Sequence, residues 1–140
     1  MCRLALACCL VAIAVVPATA SAYPTHVPVS LTRIPGNICC PHPTRASVSA
    51  DGVLTKAVEK SGRWRRVAQR RLTSTELSRL RDRLRRFDPS TLRGDSARCQ
   101  GGPVGDVGGY ELRVGKHHSN CPPASADRLI RLLERWLPQM

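Results

Sequence analysis

Apolar and polar positions alternate from Val29 to Ile34, and the following Pro35-Gly36-Asn37 ends the run, so this stretch predicts a first β-strand. Ile38 to Pro43, with prolines at 41 and 43, reads as a loop or irregular edge. Ala46–Ala50 and Val53–Val58 are short β-type runs on either side of Asp51-Gly52. Asp-Gly between two such runs predicts a hairpin with a tight primed turn, because glycine supplies positive φ without strain. Residues 59–71 are polar and basic, with Trp64 and Val67 as an apolar edge, and read as a loop leading into a strand that ends near Leu72.

The period then changes. Thr73-Ser74-Thr75-Glu76 has the form of a capping box, with Leu72 and Leu77 placed as a hydrophobic staple across it. Leu77, Leu80, Leu84 and Phe87 recur at helical spacing, while Arg79, Arg83, Arg85 and Arg86 fall largely on the opposite side, and Asp88-Pro89 closes the helix. A glycine-rich loop spans Gly101 to Gly109. Tyr110, Leu112 and Val114 alternate with Glu111 and Arg113 as a half-buried strand, which Gly115-Lys116 turns back into His117-His118-Ser119. Pro122-Pro123 opens a last helix with an apolar stripe of Ala126, Leu129, Ile130, Leu133, Trp136 and Leu137, running nearly to the chain end. Both tryptophans are expected in the core. The order predicts an α+β fold: a small antiparallel sheet of four to five strands with two amphipathic helices packed on one face.

The first 22 residues stand apart from this pattern. Arg3, an apolar run from Leu4 to Val16, Pro17 and the small residues Ala18 to Ala22 form the three-part layout of a secretory signal peptide. The run falls short of the roughly 20 residues that a membrane-spanning helix requires. Cleavage is expected after Ala22, with Ala20 as the rival site; an acylated Cys8 would have too short an apolar segment before it. The expected organisation is therefore a signal peptide over 1–22, a flexible lead-in over 23–28 and a single domain over 29–140. Localisation is expected to be secreted or periplasmic, with no transmembrane segment in the mature chain. Removing Arg3 leaves 21 cations against ten acids. Residues 63–86 alone hold ten arginines against Glu76 and Asp82. Such a run attracts polyanions such as nucleic acid, wall polymers or anionic lipid heads, and Arg79, Arg83, Arg85 and Arg86 are the candidate contacts.

Four cysteines remain in the mature chain, Cys39, Cys40, Cys99 and Cys121. An even number in a small exported domain predicts disulfides. A bridge between adjacent Cys39 and Cys40 closes a strained ring. Cys99 and Cys121 are expected to be oxidised, either to each other or one each to Cys39 and Cys40. His42 beside the first cysteine pair, and His117-His118 ahead of Cys121, do not have the spacing of a zinc finger, and adjacent histidines in a strand point to opposite faces; no metal and no cofactor is expected. The chain shows no nucleophile motif, paired carboxylates or phosphate-cradling loop, so it is not expected to be an enzyme.

Several segments resemble the emfourin-like family of small bacterial proteins, which includes proteinaceous inhibitors of thermolysin-family metallopeptidases. They are Leu31-Thr32-Arg33 with Pro35-Gly36, the Asp51-Gly52 hairpin, Arg71-Leu72-Thr73 leading into Glu76-Leu77 and Leu80, Tyr110 to Val114, and Pro122-Pro123 with Leu129 and Leu133. The resemblance implies the same α+β fold and a protein partner, a secreted metallopeptidase, contacted by loops such as Pro35–Pro43 or Gly101–Gly109. The expected function is thus an exported, non-catalytic binding module of the peptidase-inhibitor type. The alternative is an electrostatic binder of polyanionic surfaces through the arginine-rich helix face.

Overall fold

The computed structural model describes residues 27–36, 42–95 and 108–138. The expected signal peptide and lead-in up to residue 26, Cys39, Cys40 and Cys99, and most of both candidate loops lie outside those residues. The fold is α+β. Six strands, β1 (Val29–Ile34), β2 (Thr44–Val48), β3 (Val53–Lys60), β4 (Arg63–Arg71), β5 (Gly109–Val114) and β6 (His117–Ser119), form one sheet in the order β4-β3-β2-β1-β5-β6. Every neighbouring pair is antiparallel. Helix α1 (Ser74–Arg85) returns the chain from the β4 edge towards the β5 side, and α2 (Asp127–Glu134) follows β6.

Several of the sequence expectations need correction. The sheet has six strands rather than four to five, and the strand expected to end near Leu72 begins earlier than the sequence suggests, since Arg63–Arg71 is the edge strand β4 where much of the stretch is expected to be a loop. All nine of its residues are exposed. A strand with neither face buried has no reason to alternate apolar and polar side chains, and the period-two signal is lost. The turn that makes it, Ser61-Gly62, has positive φ at both positions (53° and 73°) between the paired Lys60 and Arg63, the geometry of a primed two-residue hairpin. The Asp51-Gly52 hairpin forms, but with a longer loop. Gly52 alone has positive φ (81°), Gly52 N–H donates to Ser49 C=O at 3.0 Å, and Ser49 N–H to Val53 C=O at 3.0 Å, leaving three residues in the connection. The last helix is shorter than its apolar stripe. A 3₁₀ turn at Ala124–Ala126 precedes it, and Trp136 and Leu137 lie past its end yet remain buried.

Registry places the core. Val29, Leu31, Ala46, Val48, Leu54, Leu112 and Val114 occupy matched rows of β1, β2, β3 and β5 and are all buried on one side. Leu80 from α1, Leu129 and Leu133 from α2, and Phe87, Leu92, Trp136 and Leu137 from the flanking turns complete the same cluster. The opposite rows, Ser30–Ser47–Thr55 and Thr32–Arg45–Ala57, carry hydroxyls and one arginine, and no described helix covers them. Trp64 belongs to this open side, 37% exposed under the Arg45 guanidinium, whose carbon lies 4.0 Å from the ring centroid. Its expected core position is therefore corrected, since only Trp136 is buried (6%).

Two polar junctions fix the helices. At the start of α1 the capping box is complete: Glu76 N–H donates to Thr73 Oγ1 at 3.2 Å and Thr73 N–H to Glu76 Oε2 at 2.9 Å. Arg70 of β4 reaches across to the same carboxylate with both Nη atoms, at 2.6 and 2.7 Å. The Arg70 hydrogen bonds, with smaller help from Thr73, outweigh the cost of burial and lower the Glu76 carboxyl to about 2. At the other end of the molecule, the Tyr110 hydroxyl of β5 donates to Glu134 of α2, and burial first and Glu134 second push the phenol up.

Leu112 is 0% exposed at the centre of the core. Leu112→Ala should lower the unfolding free energy by about 2–5 kcal/mol in urea titrations, the cost of a buried cavity. Glu76 has a depressed folded-state pKa, so its contribution is full above the ordinary value of 4.5 and fades as pH falls towards about 2. Glu76→Gln should therefore destabilise the protein at neutral pH and flatten the stability-versus-pH curve between those two values, leaving little difference from wild type at the acid end.

Candidate anion-binding groove

Helix α1 buries Leu80 and packs Leu77 and Leu84 against the core, which turns Ser78, Arg79, Asp82 and Arg83 away from it. In α2, Leu129 and Leu133 face inward, so Arg128, Arg131, Leu132 and, at the helix end, Arg135 form the outward stripe. The two outward stripes meet. Between the helices lies a groove of about 770 Å3 lined by Arg79, Arg83, Arg128, Arg131 and Arg135 with Ser78, Asp82 and Leu132. Arg83 and Arg128 also line a smaller adjoining cavity of about 200 Å3 with Arg86 and Ser125.

Asp82 is the one carboxylate in the groove lining, and it is already engaged. Its Oδ1 accepts from Arg86 Nη2 at 3.0 Å and Nε at 3.2 Å, and Arg85 Nη2 lies 3.7 Å away. None of the five groove arginines makes an ion pair among the described residues. Of the other acids on these helices, Glu76 is turned to Arg70 and Glu134 to Tyr110, while Asp127 stands in the first turn of α2 outside the groove lining. Guanidinium groups keep their charge and present planar donor pairs suited to the oxygens of phosphate, sulfate or carboxylate. Five of them line one cleft beside the already paired Asp82, an arrangement whose charge suits negatively charged groups.

The four sequence candidates therefore divide. Arg79 and Arg83 line the groove, whereas Arg85 and Arg86 are held by Asp82, Arg86 keeping a place in the adjoining cavity. The α2 arginines were missed because three cations spread over eight residues of a short helix do not stand out beside the ten of residues 63–86. The signal was present in their i, i+3, i+7 spacing opposite Leu129 and Leu133.

The histidines do not join a common site. His117 pairs with Val114 on the helix side of the sheet, and His118 pairs with Arg113 on the open side, 3.7 Å from Asp95. Among the described residues no three His, Cys, Asp or Glu side chains cluster as metal ligands, and no helix is long and apolar enough to cross a membrane. Cys121 is disulfide-bonded and its N–H donates to Ser119 Oγ at 3.1 Å; the other three candidate cysteines lie outside the described residues, and the pairing stays open.

Asp82 subtracts one charge from the groove and holds two arginines. Asp82→Asn should tighten binding of inorganic polyphosphate by about two- to five-fold, within the ~1 kcal/mol typical of one exposed charge, as measured by calorimetry at fixed salt. No family model and no curated protein matches this chain, and the reading of the groove rests on its geometry and charge.

Proposed function

We propose that this protein is a non-catalytic, exported module that binds polyanions through the groove between α1 and α2. The observation that carries the reading is the convergence of Arg79, Arg83, Arg128, Arg131 and Arg135 on one cleft beside a single, already paired carboxylate. Export is supported by the signal-peptide layout of residues 1–22 and by the cysteines of the mature chain. Along α2, Arg128 to Arg135 span about 10 Å at 1.5 Å per residue, enough to meet two or more anionic groups of a linear polymer at once. The peptidase-inhibitor reading drawn from the emfourin-like resemblance relies on loops that are mostly outside the described residues, whereas the groove is built from helices and offers a defined set of contacts.

The test is binding of inorganic polyphosphate to the mature domain across a salt series. Wild type should bind at low salt with an affinity that falls steeply as salt rises. The triple variant Arg79→Gln, Arg131→Gln, Arg135→Gln should lose at least tenfold at about 100 mM salt and show a salt slope shallower by roughly 2–3, as three fewer cations release counterions. Unchanged affinity in the variant would refute the groove. Inhibition of a thermolysin-type peptidase by a domain that ignores polyphosphate would move the function to the inhibitor reading.

A further inference from the structure

Away from the groove, the β3–β4 ribbon carries a second concentration of charge. From Val53 to Arg71 it holds seven cations and one acid, Glu59. Among the described residues the outer strand β4 pairs only with β3 and its other edge has no strand beside it, and every one of its residues is exposed. The cations are not confined to one face. Arg63 and Arg65 lie in register with Lys60 and Val58 on the helix side. Arg66 lies in register with Ala57 on the open side, where its Nη1 donates to Gln69 Oε1 at 2.6 Å.

That distribution selects among partners. A flat anionic surface such as a bilayer meets only one face of a sheet edge at a time and leaves the other arginines idle. A second copy of β4, or a peptide adding to the open edge, would bring arginines beside arginines or bury them, the usual means by which edge strands are kept from pairing. An occupant that presents negative charge above and below the strand simultaneously uses both sets. The major groove of duplex nucleic acid does this: it is about 12 Å wide between two phosphate rails and admits a two-stranded β-ribbon. Its depth of about 8.5 Å accepts β4 and β3, spaced about 4.8 Å apart, before β2 reaches the rim. We propose that the β3–β4 edge is a duplex nucleic-acid-binding element, with Arg63 and Arg65 contacting one phosphate rail and Arg66 the other. The element shares no residue with the α1–α2 groove, and each can fail without the other.

The probe is a fluorescently labelled 20-bp DNA duplex of arbitrary sequence, compared with the matching single strand and with vesicles of anionic phospholipid. Wild type should bind the duplex more tightly than either. The variant Arg63→Gln, Arg65→Gln, Arg66→Gln should lose at least tenfold in duplex affinity at about 100 mM salt and about 2–3 in salt slope, with its polyphosphate affinity kept within about twofold. Replacing the same three residues by Lys should restore most duplex binding, since a rail of phosphates accepts point charges, and this variant controls for misfolding. Duplex affinity untouched by the Gln substitutions would overturn the proposal, as would vesicle or single-strand binding that exceeds duplex binding. Loss only in the groove variant would assign duplex binding to the helices and overturn it as well.

Discussion

The sheet is buried on one face only, and the remaining architecture follows from how that face is covered. Leu31 and Leu112 sit at its middle with no exposure, and among the described residues two short helices and the turns that flank them shield that face. A helix of eight or twelve residues is marginal alone in water, so α1 and α2 owe their persistence to what they bury. Each commits its leucines inward, and the arginines that share those helices have nowhere to go but the outer surface. Because both helices lie on the same face, their outer surfaces adjoin. The charged groove is thus a by-product of the hydrophobic arrangement as much as of the arginine content.

The polar junctions decide which charges remain available. Glu76 is tied into the helix cap and to Arg70, Glu134 is taken by Tyr110, and Asp82 is taken by Arg86 and Arg85. These acids do not sit at random among the cations. Each is held by a partner that serves a structural purpose: starting α1, anchoring α2 on β5, or supporting the last turn of α1. Arginines outside these pairs line the cleft between the helices and lie along strand β4. Charge segregation of this kind costs the compact state some self-repulsion, and it favours association with anionic partners.

Much of the fold could be read from the residues because it is written in local chemistry. Thr73 to Glu76 announce a helix start in any context, and Tyr110 to Val114 alternate because one side faces leucines. The full extent of strand β4 was hidden for the opposite reason, since its side chains face solvent on both sides and its pairing depends on Ser61-Gly62 turning the chain back onto β3. The Ser-Gly pair is the local signal for where that strand begins. The groove was half legible. The α1 arginines form a visible cluster, but the meeting of α1 with α2, some fifty residues apart in sequence, is a tertiary fact that no window along the chain contains. Trp64 shows the same limit, since an aromatic residue next to arginines reads as core until the sheet reveals that Arg45, not a leucine, covers its ring.

The groove also bears on what the folded state is made of. Five guanidinium groups held around one cleft repel each other, and the unfolded chain, in which they drift apart, is free of that repulsion. Any anion that settles between α1 and α2 binds the native form and not the unfolded one, and so stabilises it by mass action. On the proposed reading, solution anions would act as an interchangeable component of the fold. If the groove binds as proposed, stability would belong to the sequence together with the multivalent anions of its surroundings, and a compartment rich in them would favour the folded state without touching a single core residue.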